Sequence, residues 1–135
     1  MLGLIIADKD VETRKQMANL LIEAGYDVMV TDSAVKAIHG VLKKTAQVVV
    51  LGTELDEVTS AELVPLLKQC NRKLMIILVA DNAPLALIRK VRKEGIFYHA
   101  LRPVEQEGED EIRLVVKCAM ANLARTDFTA RAQAH

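Results

Sequence analysis

The stretch that most constrains this chain is Val48-Val49-Val50-Leu51, an unbroken aliphatic run rich in β-branched residues and closed by Gly52. It shows no polar alternation, so it reads as a strand buried on both faces. Such a strand belongs in the middle of a parallel sheet covered by helices. Its carboxyl end, at Gly52, is where an open α/β sheet places its ligand.

The flanking sequence repeats the theme. Leu2 to Ala7 is a second apolar run, followed by Asp8-Lys9-Asp10, with Asp10 placed to cap a helix from Val11 to about Ala24. Its inward face is Val11, Met17, Leu20, Leu21 and Ala24, and Gly25 ends it. Tyr26 to Thr31 is a short strand. Asp32 or Ser33 caps the next helix, with Ala34, Ile38, Val41 and Leu42 inward and Gly40 inside it at a cost of up to about 1 kcal/mol against alanine. After the central strand, 47–52, comes a polar loop from Thr53 to Thr59. Ser60 then caps a helix to about Cys70, with Leu63, Leu66 and Leu67 inward and a distortion expected at Pro65. Leu74 to Ala80 is the fourth strand. Asn82 caps a helix with Pro84 in its first turn and Leu85, Ile88 and Val91 inward. Ile96 to Leu101 is the fifth strand. A last helix runs to about Ala124 on Ile112, Val115, Val116, Ala119, Met120 and Leu123. Strands alternating with helices give a doubly wound parallel α/β sheet in one domain, residues 1–125, with 126–135 expected to fray.

Composition excludes several function classes. The chain carries 18 basic and 18 acidic residues, so nothing draws it to nucleic acid or an anionic membrane. No apolar run approaches the roughly 18 residues of a membrane span, and Met1 to Asp8 lacks a signal peptide's basic start. Cys70 and Cys118 read as reduced, buried small apolar residues, and the expected location is the cytoplasm. Neither a phosphate-binding lysine loop nor a dinucleotide glycine fingerprint follows an inner strand. With two Tyr, two Phe and no Trp, a flavin sandwich has little to build on, though a small flavodoxin-like cofactor carrier remains a distant alternative.

Five stretches, in this order and at this spacing, form a pattern: Ile5-Ile6-Ala7-Asp8-Lys9-Asp10, Leu21 to Val28 with Gly25-Tyr26, Val48 to Gly52, Leu78-Val79-Ala80, and Leu101-Arg102-Pro103-Val104. Over residues 1 to about 124 the chain resembles the receiver domain of bacterial two-component response regulators. The resemblance implies a flavodoxin-like (βα)5 fold with strand order 2-1-3-4-5 and a site at the ends of strands one and three. It also implies a phosphoacceptor aspartate ending strand three, an acidic pair ending strand one that holds Mg²⁺, a hydroxyl ending strand four, and a lysine before the proline after strand five.

Carried over position by position, this machinery is degenerate. The nucleophile falls on Gly52, which has no side chain to phosphorylate. Asp8 is kept, but the second acid falls on Lys9, with Asp10 one further on. The hydroxyl falls on Val79; Ala80 after it is kept. The lysine falls on Arg102, longer and planar, and Pro103 is kept. The family's switch aromatic falls on His99, where an imidazole could respond to pH. With no phosphoryl group to meet, Arg102 is expected to pair with Asp8.

Two charged clusters complete the reading. Arg89, Lys90, Arg92 and Lys93 lie on the fourth helix. Glu105, Glu107, Glu109, Asp110 and Glu111 lie at the start of the fifth, where acids also favour the helix N-terminus. On the family's interaction face, made by helix four, strand five and helix five, they would suit a two-fold contact. The sequence therefore points to a non-enzymatic pseudo-receiver with no cofactor. It would act by binding a histidine kinase, another regulator or itself. The alternative is an active receiver phosphorylated at Glu54 or Asp56 with Mg²⁺ bound.

Overall fold

The computed structural model describes residues 3–56 and 58–133, with side chains through residue 124. The aliphatic runs form the expected parallel sheet. Its strands are β1 (Gly3–Ala7), β2 (Asp27–Thr31), β3 (Val48–Leu51), β6 (Met75–Val79) and β7 (Tyr98–Ala100), in the order β2-β1-β3-β6-β7. Leu2, expected to open the first strand, lies outside the described residues. The β1–β3 register sets Ala7 beside Leu51, and β3–β6 sets Leu51 beside Leu78, so the strand ends that carry Asp8, Gly52 and Val79 are level.

Alternation along each central strand divides the core in two. Leu4, Ile6, Val48, Val50, Ile77 and Val79 point to one face, covered by α1 (Val11–Glu23) and α5 (Gln106–Gln133). Ile5, Ala7, Val49, Leu51, Ile76 and Leu78 point to the other, covered by α2 (Ala34–Leu42), α3 (Ser60–Cys70) and α4 (Leu85–Glu94). A one-residue slip of β3 would exchange these two sets.

Asp10 caps α1 by accepting from the Thr13 backbone N–H, and Ser33 caps α2 by accepting from that of Lys36. Gly25 after α1 and Gly95 after α4 take positive φ, 95° and 108°, where other side chains are strained.

Several expectations fail. The segment expected as a polar loop, 53–59, contains a two-stranded antiparallel hairpin, β4 (Glu54–Leu55) with β5 (Val58–Thr59), its Leu55 buried in the core. Thr59, not Ser60, occupies the N-cap of α3, and the buried Ser60 hydroxyl has no hydrogen-bond partner. Pro84, not Asn82, precedes α4, because Asn82 sits at φ 52° in the left-handed region. Val11, Leu42, Leu66 and Leu85 are exposed rather than inward, since each turns well away from the buried face of its helix. Ala24 is exposed as the C-cap of α1. Cys118 is exposed on the outer face of α5 and Cys70 is half-buried, so neither is a core residue. Helix α5 passes Ala124 and runs to Gln133; residues 134–135 of the expected tail lie outside the described residues.

Gly40 shows why a costly residue stands in a helix. A Cβ there would lie 2.7 Å from Ile5 Cδ1 and 3.0 Å from Met29 Cε, so the glycine lets α2 sit close on β1 and β2. Ile5 is fully buried, so its Cδ1 can yield only by pressing on packed neighbours. The Gly40→Ala variant is therefore expected to forgo its propensity gain and lose about 1–3 kcal/mol, read as a lowered midpoint in urea unfolding.

Candidate functional site

Four turns meet at the carboxyl edge of the sheet: β1–α1, β3–β4, β6–α4 and β7–α5. Backbone bonds hold them in place. The Asp8 N–H donates to the Thr31 carbonyl at 3.1 Å, the Lys9 N–H to the Glu54 carbonyl at 3.1 Å, and the Gly52 N–H to the Ala7 carbonyl at 2.8 Å.

Gly52 is buried, and the half-buried Asp8 carboxylate lies directly against it. A Cβ built on Gly52 would stand 2.5 Å from Asp8 Cγ and 2.6 Å from each carboxylate oxygen. The acid of β1 thus fills the volume that a side chain at position 52 would need. Asp8 Oδ1 accepts the Asp10 N–H at 2.9 Å, and the Asp8 carbonyl accepts from Arg14 Nη1 at 2.8 Å. Burial raises the Asp8 pKa above its ordinary 3.8, against the opposing pull of the Asp10 N–H bond.

Arg102 does not make the expected pair with Asp8. Its guanidinium lies 3.5 Å from Asp10 Oδ2, with both side chains substantially exposed. Asp10 is the outer of the two acids, already held by the Thr13 hydroxyl and N–H. Those two bonds, the hydroxyl first, lower its pKa. The Arg102 backbone is fixed separately, its N–H donating to Asp81 Oδ1 at 2.8 Å. Pro103 is buried; its carbonyl accepts from Gln16 Nε2 at 2.7 Å, and Gly108 of α5 packs on it, with room for no Cβ beyond 3.0 Å from Pro103 Cα.

Val79 and Ala80 are both buried at the end of β6. His99 is half-buried, with Nε2 3.2 Å from the Ala80 carbonyl, so this contact needs the proton on Nε2. Lys9 is exposed and borders a small groove with Glu54 and Thr59. Arg89, Lys90, Arg92 and Lys93 are exposed along α4. Of the α5 acids, Asp110 accepts from Gln106 and Arg113, Glu109 is half-exposed and Glu111 is exposed. Residue spacing alone missed Thr13, Gln16 and Asp81 as partners; only Asp81, the acid directly after Ala80, carried a signal in its position.

The Mg²⁺ that the resemblance implies does not fit this set. Among the described residues no three acidic, His or Cys side chains converge on a common point. Lys9 brings a cation to the second acid position, and Asp10 is taken up by Thr13 and Arg102.

A family model described as the response regulator receiver domain matches residues 4–113. The chain belongs to that family, the receiver domains of two-component signalling. Among solved structures it is similar to the signal receiver domain of a putative LuxO repressor protein from Vibrio parahaemolyticus, at 12% identity and TM-score 0.83, covering 95% of this chain and 96% of that one. A CheY-like receiver domain protein from Methanospirillum hungatei JF-1 matches at 16% and 0.81, covering 93% and 99%. NtrX from Brucella abortus, in complex with ADP, matches at 16% and 0.84, covering 96% of this chain but 30% of that one. At these identities the structural matches show the fold. No curated protein matches the chain. Among the described residues no helix is long and apolar enough to cross a membrane.

Two outcomes follow from the Asp8–Gly52 contact. Gly52→Ala is expected to lose about 1–3 kcal/mol, and clearly less in an Asp8→Ala background, a coupling of about 1 kcal/mol or more in a double-mutant cycle. Because the folded pKa of Asp8 is raised, its favourable contribution is full below 3.8 and is lost as pH rises through the folded value. Asp8→Asn keeps the acceptor for the Asp10 N–H. It is expected to melt above the wild type at pH 7, with the gap closing toward pH 4.

Proposed function

We propose that this receiver is a phosphorylation-independent interaction module: a non-enzymatic pseudo-receiver in the cytoplasm that works by binding protein. Its partner would be a histidine kinase, another regulator or a second copy of itself. The observation that carries this reading is the Asp8 carboxylate lying on Gly52. A phosphoacceptor is missing, and the space for one is taken by a neighbouring acid.

The rest of the site supports the same reading. Val79 offers no hydroxyl to a phosphoryl oxygen, and Arg102 turns to Asp10. The alternative acids are poorly placed. Glu54 is drawn into the hairpin opposite Thr59, and the Asp56 backbone bonds Asp32, whose carbonyl accepts its N–H at 3.2 Å. The binding surface favoured is the face of α4, β7 and α5, where Leu85, Phe97, Tyr98, Leu101 and Val104 are all exposed. The basic α4 and the acidic start of α5 flank it, which suits a two-fold contact between copies as well as a foreign partner.

The deciding experiment adds Mg²⁺ and beryllofluoride, a mimic of aspartyl phosphate, to isotope-labelled protein and follows the backbone amides. No shift is expected at Asp8, Gly52 or Arg102, and acetyl phosphate should leave no phosphate on the chain. Saturable shifts there, abolished by Glu54→Gln or Asp56→Asn, would replace this reading with an active receiver. Visible absorbance of the purified protein would point to a cofactor carrier instead.

A further inference from the structure

We infer that the groove between β7 and the start of α5 docks a flexible protein segment in which lysine or arginine alternates with aliphatic side chains. The inference rests on the proposed role of the α4–β7–α5 face and names the class of partner for it. The groove has a volume of about 480 Å³.

Its lining is mainly acidic and apolar; the two basic side chains in it are His99 and Arg102, whose guanidinium turns to Asp10 at 3.5 Å, leaving the three carboxylates in excess. Glu105, Glu107 and Glu111 supply three carboxylates, and none of them has an ion-pair partner among the described residues. Glu107 and Glu111 stand one helical turn apart, a like-charge spacing that costs a few tenths of a kcal/mol on a helix until a cation comes between them. The nearby Arg113 does not supply it, because it is engaged by Asp110 at 3.0 Å.

The apolar part is Tyr98, Leu101 and Val104, which are 39%, 62% and 89% exposed. Leaving such side chains in water forgoes burial that an apolar partner would recover. A ligand that satisfies both parts must bring cations and aliphatic groups at short intervals. A second copy offers its cations on α4, but a helix is about 10–12 Å across with its side chains and would rest on the rim of a groove this size. An extended segment can lay alternate side chains into it.

The test is fluorescence anisotropy with the full chain at low salt. The probe is a labelled synthetic peptide alternating lysine with valine; the controls alternate lysine with serine and glutamate with valine. The lysine–valine peptide is expected to bind saturably and at least about tenfold tighter than either control. It should weaken about tenfold in Glu105→Gln/Glu107→Gln/Glu111→Gln, and again in Leu101→Ser/Val104→Ser. These positions are exposed, and circular dichroism melts check that the variants fold.

Equal binding of the lysine–serine peptide, undiminished binding by the triple variant, or no binding at all would overturn the inference. So would displacement of the peptide by self-association of unlabelled chain, which would give the groove to a second copy. Repeating the titration with Mg²⁺ and beryllofluoride separates the two readings. Binding gained only with the mimic keeps the groove and defeats phosphorylation independence. No binding in either condition, with amides that ignore the mimic, defeats the groove alone.

Discussion

The contact on which this site depends is between a carboxylate and a missing side chain. Glycine at position 52 leaves a hollow at the end of the central strand, and Asp8 from the adjacent strand lies in it. Burying a carboxylate is costly, and the raised pKa of Asp8 records that cost. Part of it is offset by the Asp10 N–H, which donates to Asp8 Oδ1. The Gly52 N–H is meanwhile bonded to the Ala7 carbonyl, so the two strand ends are tied by backbone and closed over by one side chain. Any residue larger than glycine at 52 has to move Asp8 first, and the move would break the bond that orients Asp10.

That dependence runs outward to the β7–α5 turn. Asp10 is both the cap of α1 and the partner of Arg102. An exposed ion pair of this kind contributes little by itself, about 0–1 kcal/mol. The turn does not rest on it. Its backbone is held by Asp81 at Arg102, by Gln16 at Pro103 and by the close packing of Gly108 on Pro103. These are short-range contacts between groups always present in the chain.

Much of this was legible in the sequence. Two-sided burial marked the central strands, 3-4 periodicity marked the helices, Asp10 announced its cap, and the second cap was narrowed to Asp32 or Ser33, of which the structure takes Ser33. The residues that end the strands, Asp8, Gly52 and Val79, were also legible, because they follow from register. What failed had local physical causes. The hairpin at 54–59 has strands of two residues, too short for any periodicity to register. Asn82 looks like a cap, but its backbone is left-handed and hands that place to Pro84. Val11, Leu42, Leu66 and Leu85 fall well off the buried faces of their helices, which apolar character alone does not reveal. The choice of Arg102 between Asp8 and Asp10 was beyond reach for a deeper reason. The two acids are two residues apart, and the turn sends one into the sheet and the other to the surface. Only the position of the Gly52 hollow says which goes where.

The acids at the start of α5 illustrate how far a local explanation extends. The helix dipole favours negative charge there, and Asp110 is further matched by Gln106 and Arg113 within the same helix. The dipole has nothing to say about Leu101 and Val104, which precede the helix and gain nothing from its field. Their exposure is an independent cost on the same few square nanometres of surface. At the opposite edge, β2 also exposes Met29 and Val30, but no cluster of like charge accompanies them. Beside β7, charge favoured by the helix and exposed apolar side chains lie together. That coincidence sets the β7 edge apart from the β2 edge, whose exposed side chains carry no such charge.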